Sequence, residues 1–244
     1  MIFNILNNSD LDIKIKIFLV VALPLVVVFS LSIHEFFHAL TSYALGDPTA
    51  KIMRRMTLNP LKHLDPIGAA CMLLFGFGWA RPVPVDPRFY RNPKSGMALC
   101  GLAGPAVNAV IGISSTVVYF FMLWLAIKEP AVLNAFPFID LLPPWLYVAF
   151  AQIFYIAGYY NILLAVFNLL PIPPLDGSRL LFSVLPDKQY FAVMKYERII
   201  MFVMLALLWI GVFDIVFDTV PLFLMEAIEG AVNYTLDHLL KIIK

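Results

Sequence analysis

An all-α fold that crosses a membrane several times is predicted by the composition and by the lengths of the apolar runs. Hydrophobic residues make up 61% of the 244 residues, charged residues make up 14%, and the mean hydropathy is +0.87. A soluble domain carries about a quarter charged residues, so lipid must solvate most of this chain. We expect one membrane-embedded domain over 1–244, with a core from about 15 to 217 and an amphipathic tail over 218–244.

Four apolar runs are long enough to cross the hydrocarbon core, which takes about 20 helical residues. They cover approximately residues 15–45, 96–127, 145–170 and 199–217. The first run ends at Gly46, a residue typical of helix C-termini, and Pro48 follows as a helix breaker. The sequence therefore predicts about four full transmembrane helices.

Two shorter features lie between the first and second spans. Residues 68–78 are apolar but too few to cross a bilayer easily, so they predict a re-entrant or interfacial segment. The proline-rich residues 80–87 predict a small β element in the form of an edge strand. Such an edge could pair with an unwound peptide.

The distribution of cations predicts an orientation. Of the 17 Lys and Arg residues, eight lie in 46–94 and four in 179–198, on one side of the predicted spans. Cytoplasmic loops carry the excess of Lys and Arg, so we expect an integral, multi-pass protein of the cell membrane with both termini outside. The net charge of +1 and the lack of a basic stripe argue against nucleic acid as a partner.

The first span contains the sequence His34-Glu35-Phe36-Phe37-His38. Two histidines four residues apart share a helical face and can hold one zinc ion, and the glutamate can act as a general base beside it. With 4 histidines in the chain, a chance match is expected roughly 0.001 times. Ionisable side chains at this depth are also unfavourable unless they serve a site.

A catalytic zinc takes three protein ligands and keeps one open position, so a third ligand is needed. Asp176 is the candidate, because it follows three prolines that end the third span and precedes Gly177. Within the bilayer, backbone without regular secondary structure is tolerated only where it is buried inside the protein or lines a water-filled cavity. The alternative is that Asp176 simply caps the next helix.

With these residues, the sequence resembles the site-2 protease family of intramembrane zinc metalloproteases. The matching segments are His34–His38 and Asn168–Gly177, which contains the Leu-Asp-Gly signature, and the similar core covers about residues 20–185. The resemblance implies a short form without PDZ or CBS domains. It also implies substrates that are membrane-spanning or membrane-associated proteins or peptides, embedded in the lipid bilayer. On a helix, His34 and His38 lie roughly 18 and 12 Å before Gly46, so we expect the cut near the cytosolic leaflet.

The resemblance further implies a role for each site residue. His34, His38 and Asp176 would ligate one zinc ion per chain, and Glu35 would activate the zinc-bound water. Asn168 would help to hold the substrate carbonyl.

Two other classes of function were compared with this one. A Ste24-type protease needs a downstream glutamate as a ligand, but the four that follow lie in predicted loops or the tail, and a di-iron lipid oxidase needs many more histidines. A transporter or metal permease would use the polar residues as a pathway, but no inverted repeat is visible. Two residues keep open roles: His63 as a loop residue or a gating group, and Asn108 as a helix-packing residue or a substrate contact.

Overall fold

Long apolar helices set the architecture of this chain, whose computed structural model describes residues 12–66, 68, 80–129, 143–186, 189, 193 and 195–243. In chain order the helices are α1 (Ile13–Ala44), α2 (Thr49–Ile52), α3 (Pro93–Lys128), α4 (Pro144–Asn168), α5 (Asp176–Val184), α6 (Glu197–Trp209) and α7 (Asp214–Ile243). Single 3-10 turns lie at Pro60–Lys62 and Pro87–Phe89.

Three of these helices are long and apolar enough to cross a membrane. Their spanning parts are Ile13–Ala44, Pro93–Lys128 and Trp145–Asn168, with mean hydropathies of 2.6, 2.1 and 1.5. Helices α6 and α7 pass the same test only as a pair that is bent by 74°. The described residues thus form three spans, or four with the bent pair, and the predicted all-α membrane fold is confirmed.

The fourth predicted span, 199–217, is not one continuous helix. Helix α6 ends in a Schellman motif, in which the Val212 N–H donates to the Leu207 carbonyl and the Gly211 N–H to the Leu208 carbonyl. Gly211 has a φ of +81°, a left-handed conformation that glycine adopts without a steric penalty. The chain then starts α7 at Asp214, so the predicted tail over 218–244 belongs to a longer helix that packs against α3 and α4.

The helices α1, α3 and α4 pack against one another. On α1, buried apolar residues recur every fourth position and form one stripe, which meets Ile156 of α4. The stripe consists of Ile15, Leu19, Leu23 and Val27. One turn further on, the Asn161 side-chain amide of α4 donates to the Ser30 hydroxyl at 2.8 Å. These contacts fix the orientation of α1 about its own axis just before its two histidines.

The predicted small β element is not formed as a strand by the described residues. Only an isolated antiparallel bridge joins Leu64 to Ala80, and residues 81–86 have no regular secondary structure. The reason is that Pro82, Pro84 and Pro87 lack the N–H groups that a ladder needs. Apart from Gly68, the predicted re-entrant segment 68–78 lies outside the described residues.

Candidate metal centre

The two histidines of the motif lie on one face of α1 and are both buried, with exposures of 4% for His34 and 5% for His38. Their spacing of four residues brings the rings together on successive turns. The two Nε2 atoms are 3.0 Å apart. Each ring therefore offers the same nitrogen to the same point in the bundle.

Asp176 approaches this point from the start of α5. Its Oδ2 lies 3.0 Å from Nε2 of His34 and 3.0 Å from Nε2 of His38. The N-cap position of α5 is Leu175, and Asp176 is the first helical residue. The alternative in which Asp176 caps the helix is therefore wrong, because its carboxylate faces the histidines and not the free N–H groups of α5.

Gly177 explains how the start of α5 comes so close to the end of α4. A Cβ atom at position 177 would collide with the backbone carbonyl of Leu169 and would lie 2.6 Å from that of Leu170. Only glycine permits this approach. The Leu-Asp-Gly signature thus joins a carboxylate to the one residue type that lets its helix pack there.

Each histidine is oriented through its second ring nitrogen. The Nδ1 of His38 lies 2.7 Å from the Cys100 carbonyl oxygen, and the Nδ1 of His34 lies 3.2 Å from the Asn108 Oδ1. A carbonyl oxygen only accepts hydrogen bonds, so the proton of each ring is on Nδ1. Both Nε2 lone pairs then point at Asp176, as in metal sites where the outer nitrogen of the ligand is hydrogen-bonded.

The residues fit a zinc ion. Three electron-pair donors converge at mutual distances of 3.0 Å, an arrangement in which they repel one another unless a cation or protons lie between them. A tetrahedral zinc with bonds of about 2.0–2.1 Å separates its ligand atoms by roughly 3.3–3.4 Å. Among the residues that the structure describes, this is the one group of three His, Cys, Asp or Glu ligands that could hold a metal.

Helix α3 closes the centre with small residues. A Cβ atom at Gly104 would lie 2.5 Å from Nε2 of both histidines, and a Cβ atom at Gly101 would lie 2.9 Å from the Asp176 carbonyl oxygen. The sequence alone leaves Asn108 open as a helix-packing residue or a substrate contact and does not connect α3 with the metal. Gly101, Gly104 and Asn108 lie on one helical face, but a face of small residues is equally typical of ordinary helix packing and does not by itself indicate a metal centre.

Glu35, the predicted general base, is half-buried and holds a backbone group. Its Oε2 accepts a hydrogen bond of 2.8 Å from the Val83 N–H. Val83 is itself 7% exposed and packs with Ala39 of α1. The irregular segment 81–86 therefore lies against the same helix that carries the motif.

Three further residues are placed as follows. Asn168, at the last turn of α4, donates its side-chain amide to the Leu164 carbonyl at 2.9 Å. Arg179 lies 3.9 Å from Oδ1 of Asp176, one turn along α5. His63 is buried, with its Nε2 2.8 Å from the Thr57 carbonyl, so its ring holds a loop together.

Comparison with known proteins identifies the family to which the chain is similar. A family model described as "Peptidase family M50" matches residues 22–211. The Bacillus subtilis (strain 168) protein "Putative zinc metalloprotease YwhC" is 38% identical over 164 residues, which cover 67% of this chain and 69% of that protein. The Mycolicibacterium smegmatis (strain ATCC 700084 / mc(2)155) protein "Putative zinc metalloprotease Rip2" is 31% identical over 153 residues, which cover 61% of this chain and 51% of that protein. No solved structure matches the chain at a significant level.

Proposed function

Because the chain belongs to peptidase family M50 and is a zinc metallopeptidase of the site-2 protease type, we propose that it cleaves membrane-spanning or membrane-associated substrate helices near the cytosolic leaflet. The observation that supports this most directly is the convergence of Nε2 of His34, Nε2 of His38 and Oδ2 of Asp176 at 3.0 Å. We assign these three atoms as the protein ligands of one zinc ion per chain.

Glu35 is the proposed general base. When bound, zinc supplies a Lewis acid that acidifies water and polarises a peptide carbonyl. Glu35 directly follows the first ligand, so its carboxylate can accept a proton from the attacking water and later donate it to the leaving amine. The Val83 N–H at 2.8 Å orients the carboxylate for that exchange.

Asn168 is the proposed donor to the oxyanion. One N–H of its side-chain amide is bonded to Leu164, which leaves the second N–H for a substrate oxygen. A contact of this kind contributes roughly 3 kcal/mol of transition-state stabilisation in other enzymes.

The position in the bilayer follows from α1. The protein is a multi-pass membrane protein, and His34 and His38 lie roughly 15 and 9 Å before the end of α1, at a rise of about 1.5 Å per residue. Eight of the 17 Lys and Arg residues lie in 46–94, just beyond that end. We therefore propose that this end faces the cytosol, that both termini face outward, and that 1–244 forms one domain in the cell membrane.

A single pair of measurements tests the proposed function. Purified wild-type protein and Glu35→Gln are reconstituted with a model transmembrane substrate, and metal content and cleavage are measured together. We expect both proteins to hold one zinc ion, and Glu35→Gln to cleave about 10²–10⁴-fold more slowly, the usual contribution of a general base. Asp176→Ala should lose both the metal and the cleavage.

Three results would contradict the proposal. Wild-type rates in Glu35→Gln would show that this carboxylate is not the base. Two iron ions per chain, or transport of a solute without cleavage, would point to another class of membrane protein.

A further inference from the structure

The carboxylate of Asp47, just beyond the end of α1, is completely buried and has several donors around it. Its Oδ1 accepts the Thr49 N–H at 2.9 Å and the Thr49 hydroxyl, and its Oδ2 accepts the Ser42 hydroxyl at 2.8 Å and the Asp86 N–H at 2.8 Å. A buried carboxylate is strongly unfavourable unless it is well hydrogen-bonded. The four donors make Asp47 a fixed point to which distant backbone is attached.

Asp86 is the last residue of the segment 81–86, which is also held at its beginning. The Arg81 N–H donates to the His63 carbonyl at 2.7 Å, and the Arg55 guanidinium donates to the Arg81 carbonyl at 2.6 Å. Asp47 supplies the anchor at the other end. The segment 81–86 is therefore held at both ends by hydrogen bonds.

Between these points, Val83 provides the one backbone N–H of residues 82–84, because its neighbours are both prolines. That N–H is the group that donates to Glu35. Ser42 is the residue of α1 that binds Asp47, and α1 rises about 10.5 Å from Glu35 to Ser42. The three extended residue steps from Val83 to Asp86 span about 10 Å, which is nearly the same distance. The segment thus runs beside α1 in register, with one hydrogen bond at Glu35 and the other at Asp47.

From this geometry we propose that Asp47 is a positioning residue for Glu35. Asp47 holds the Asp86 N–H, and this attachment keeps the Val83 N–H on the Glu35 carboxylate. The proposal rests on the proposed function, since it takes Glu35 as the base. Asp47 acts on the rate of the chemical step and leaves the metal ligands unchanged.

The substitution that tests this is Asp47→Asn. Each carboxylate oxygen accepts one backbone N–H. An amide that turns its NH₂ group toward Asp86 loses that bond, and one that turns it toward Thr49 offers Asp86 only a neutral, weaker acceptor. The matched control is Asp86→Asn, whose side chain takes no part in this network and binds exposed Arg88, while its backbone N–H stays on Asp47. We expect kcat to fall about 10-fold or more in Asp47→Asn, as small misplacements of catalytic groups do, with KM and zinc content unchanged. Asp86→Asn should match the wild type.

A double-mutant cycle separates positioning from a general structural effect. Val83→Pro removes the N–H directly, and Val83→Ala keeps it. If Asp47 acts through that N–H, adding Asp47→Asn to Val83→Pro lowers kcat no further. In Asp47→Asn alone, amide hydrogen exchange across 81–86 should accelerate about 10-fold relative to Asp86→Asn, because an anchored backbone opens less often.

Several outcomes overturn the proposal. It fails if Asp47→Asn retains the kcat of Asp86→Asn, or if the effects of Asp47→Asn and Val83→Pro multiply. Should Asp47→Asn not accumulate in membranes, Val83→Pro and Val83→Ala test the same hydrogen bond to Glu35. Equal kcat values in these two variants also overturn the proposal. A wrong assignment of the base appears separately, as wild-type cleavage by Glu35→Gln, and a wrong proposed function appears as wild-type protein that does not cleave the model substrate.

Discussion

At the scale of single residues, Gly104 shows how little space surrounds the candidate metal centre. A Cβ atom there would lie 2.5 Å from Nε2 of both His34 and His38, which is closer than real Cβ contacts come. The Nδ1 atoms of the two histidine rings are also hydrogen-bonded, to the Cys100 carbonyl and the Asn108 side chain, so the rings cannot easily move away from an added methyl group. Helix α3 therefore determines the shape of the site without contributing a ligand.

We predict that Gly104→Ala weakens zinc binding. The added methyl group would displace both rings, and we expect the zinc Kd to rise about 10- to 100-fold, the range seen when support of a ligand is lost. Competition with a chelator measures it. The control is Gly230→Ala on α7, where nothing lies within 4 Å of the new Cβ, and an equal loss of zinc in both variants would refute the explanation.

Asn108 gives a second prediction at this scale. Its Oδ1 fixes the proton of His34 on Nδ1, so Asn108→Ala should also weaken zinc binding about 10- to 100-fold. The matched control is Asn161→Ala, which removes another fully buried amide that bonds Ser30 and not a ligand. The control should lower the thermal midpoint and leave the zinc Kd unchanged. If both variants bind zinc like the wild type, Asn108 does not orient the ligand.

The ligand candidates could be found in the sequence, but their supports could not. His34, Glu35 and His38 form a local pattern on one helix, and the need for a third ligand led to Asp176. The contacts of Gly104 and Asn108 depend on which faces of α1 and α3 meet. Helices that are apolar on all sides carry no periodic signal for that choice.

At the scale of elements, the three long spans were predicted within a few residues of their observed ends. The predicted runs 15–45, 96–127 and 145–170 became Ile13–Ala44, Pro93–Lys128 and Pro144–Asn168. Their ends are marked locally by capping residues and prolines; Asp12 and Asn92, for example, accept bonds from the first turns of α1 and α3. The fourth predicted span, 199–217, is wrong as a continuous helix. The apolar sequence continues through the bend, whereas the helix ends at Trp209 and a new one starts at Asp214.

Gly211 is the residue on which that bend depends. We predict that Gly211→Ala lowers the stability of the α6–α7 unit by about 1–2 kcal/mol, the strain of a left-handed alanine. The new Cβ would also lie 2.5 Å from Asp214 Oδ2. Thermal unfolding in detergent measures the effect, with Gly230→Ala as a helical glycine without that strain. An equal or higher midpoint for Gly211→Ala would mean that the bend does not need a positive φ.

At the scale of the whole molecule, the candidate centre is built from three separate parts of the chain. Helix α1 brings the two histidines, α3 brings the groups that orient them, and α5 brings the carboxylate. The end of α1 also anchors the segment 81–86 through Asp47. The packing of α1 against α3 and α4 is thus what brings these parts into register.

The order of these parts along the chain has a consequence for how the protein is made. Asp176 follows His38 by 138 residues, so a growing polypeptide has both imidazoles in the bilayer long before the ribosome reaches the carboxylate. Two histidines alone fall short of the three ligands that a catalytic zinc takes. With the proposed ligand set, a nascent chain therefore lacks the third ligand of the catalytic zinc until its second half has been delivered.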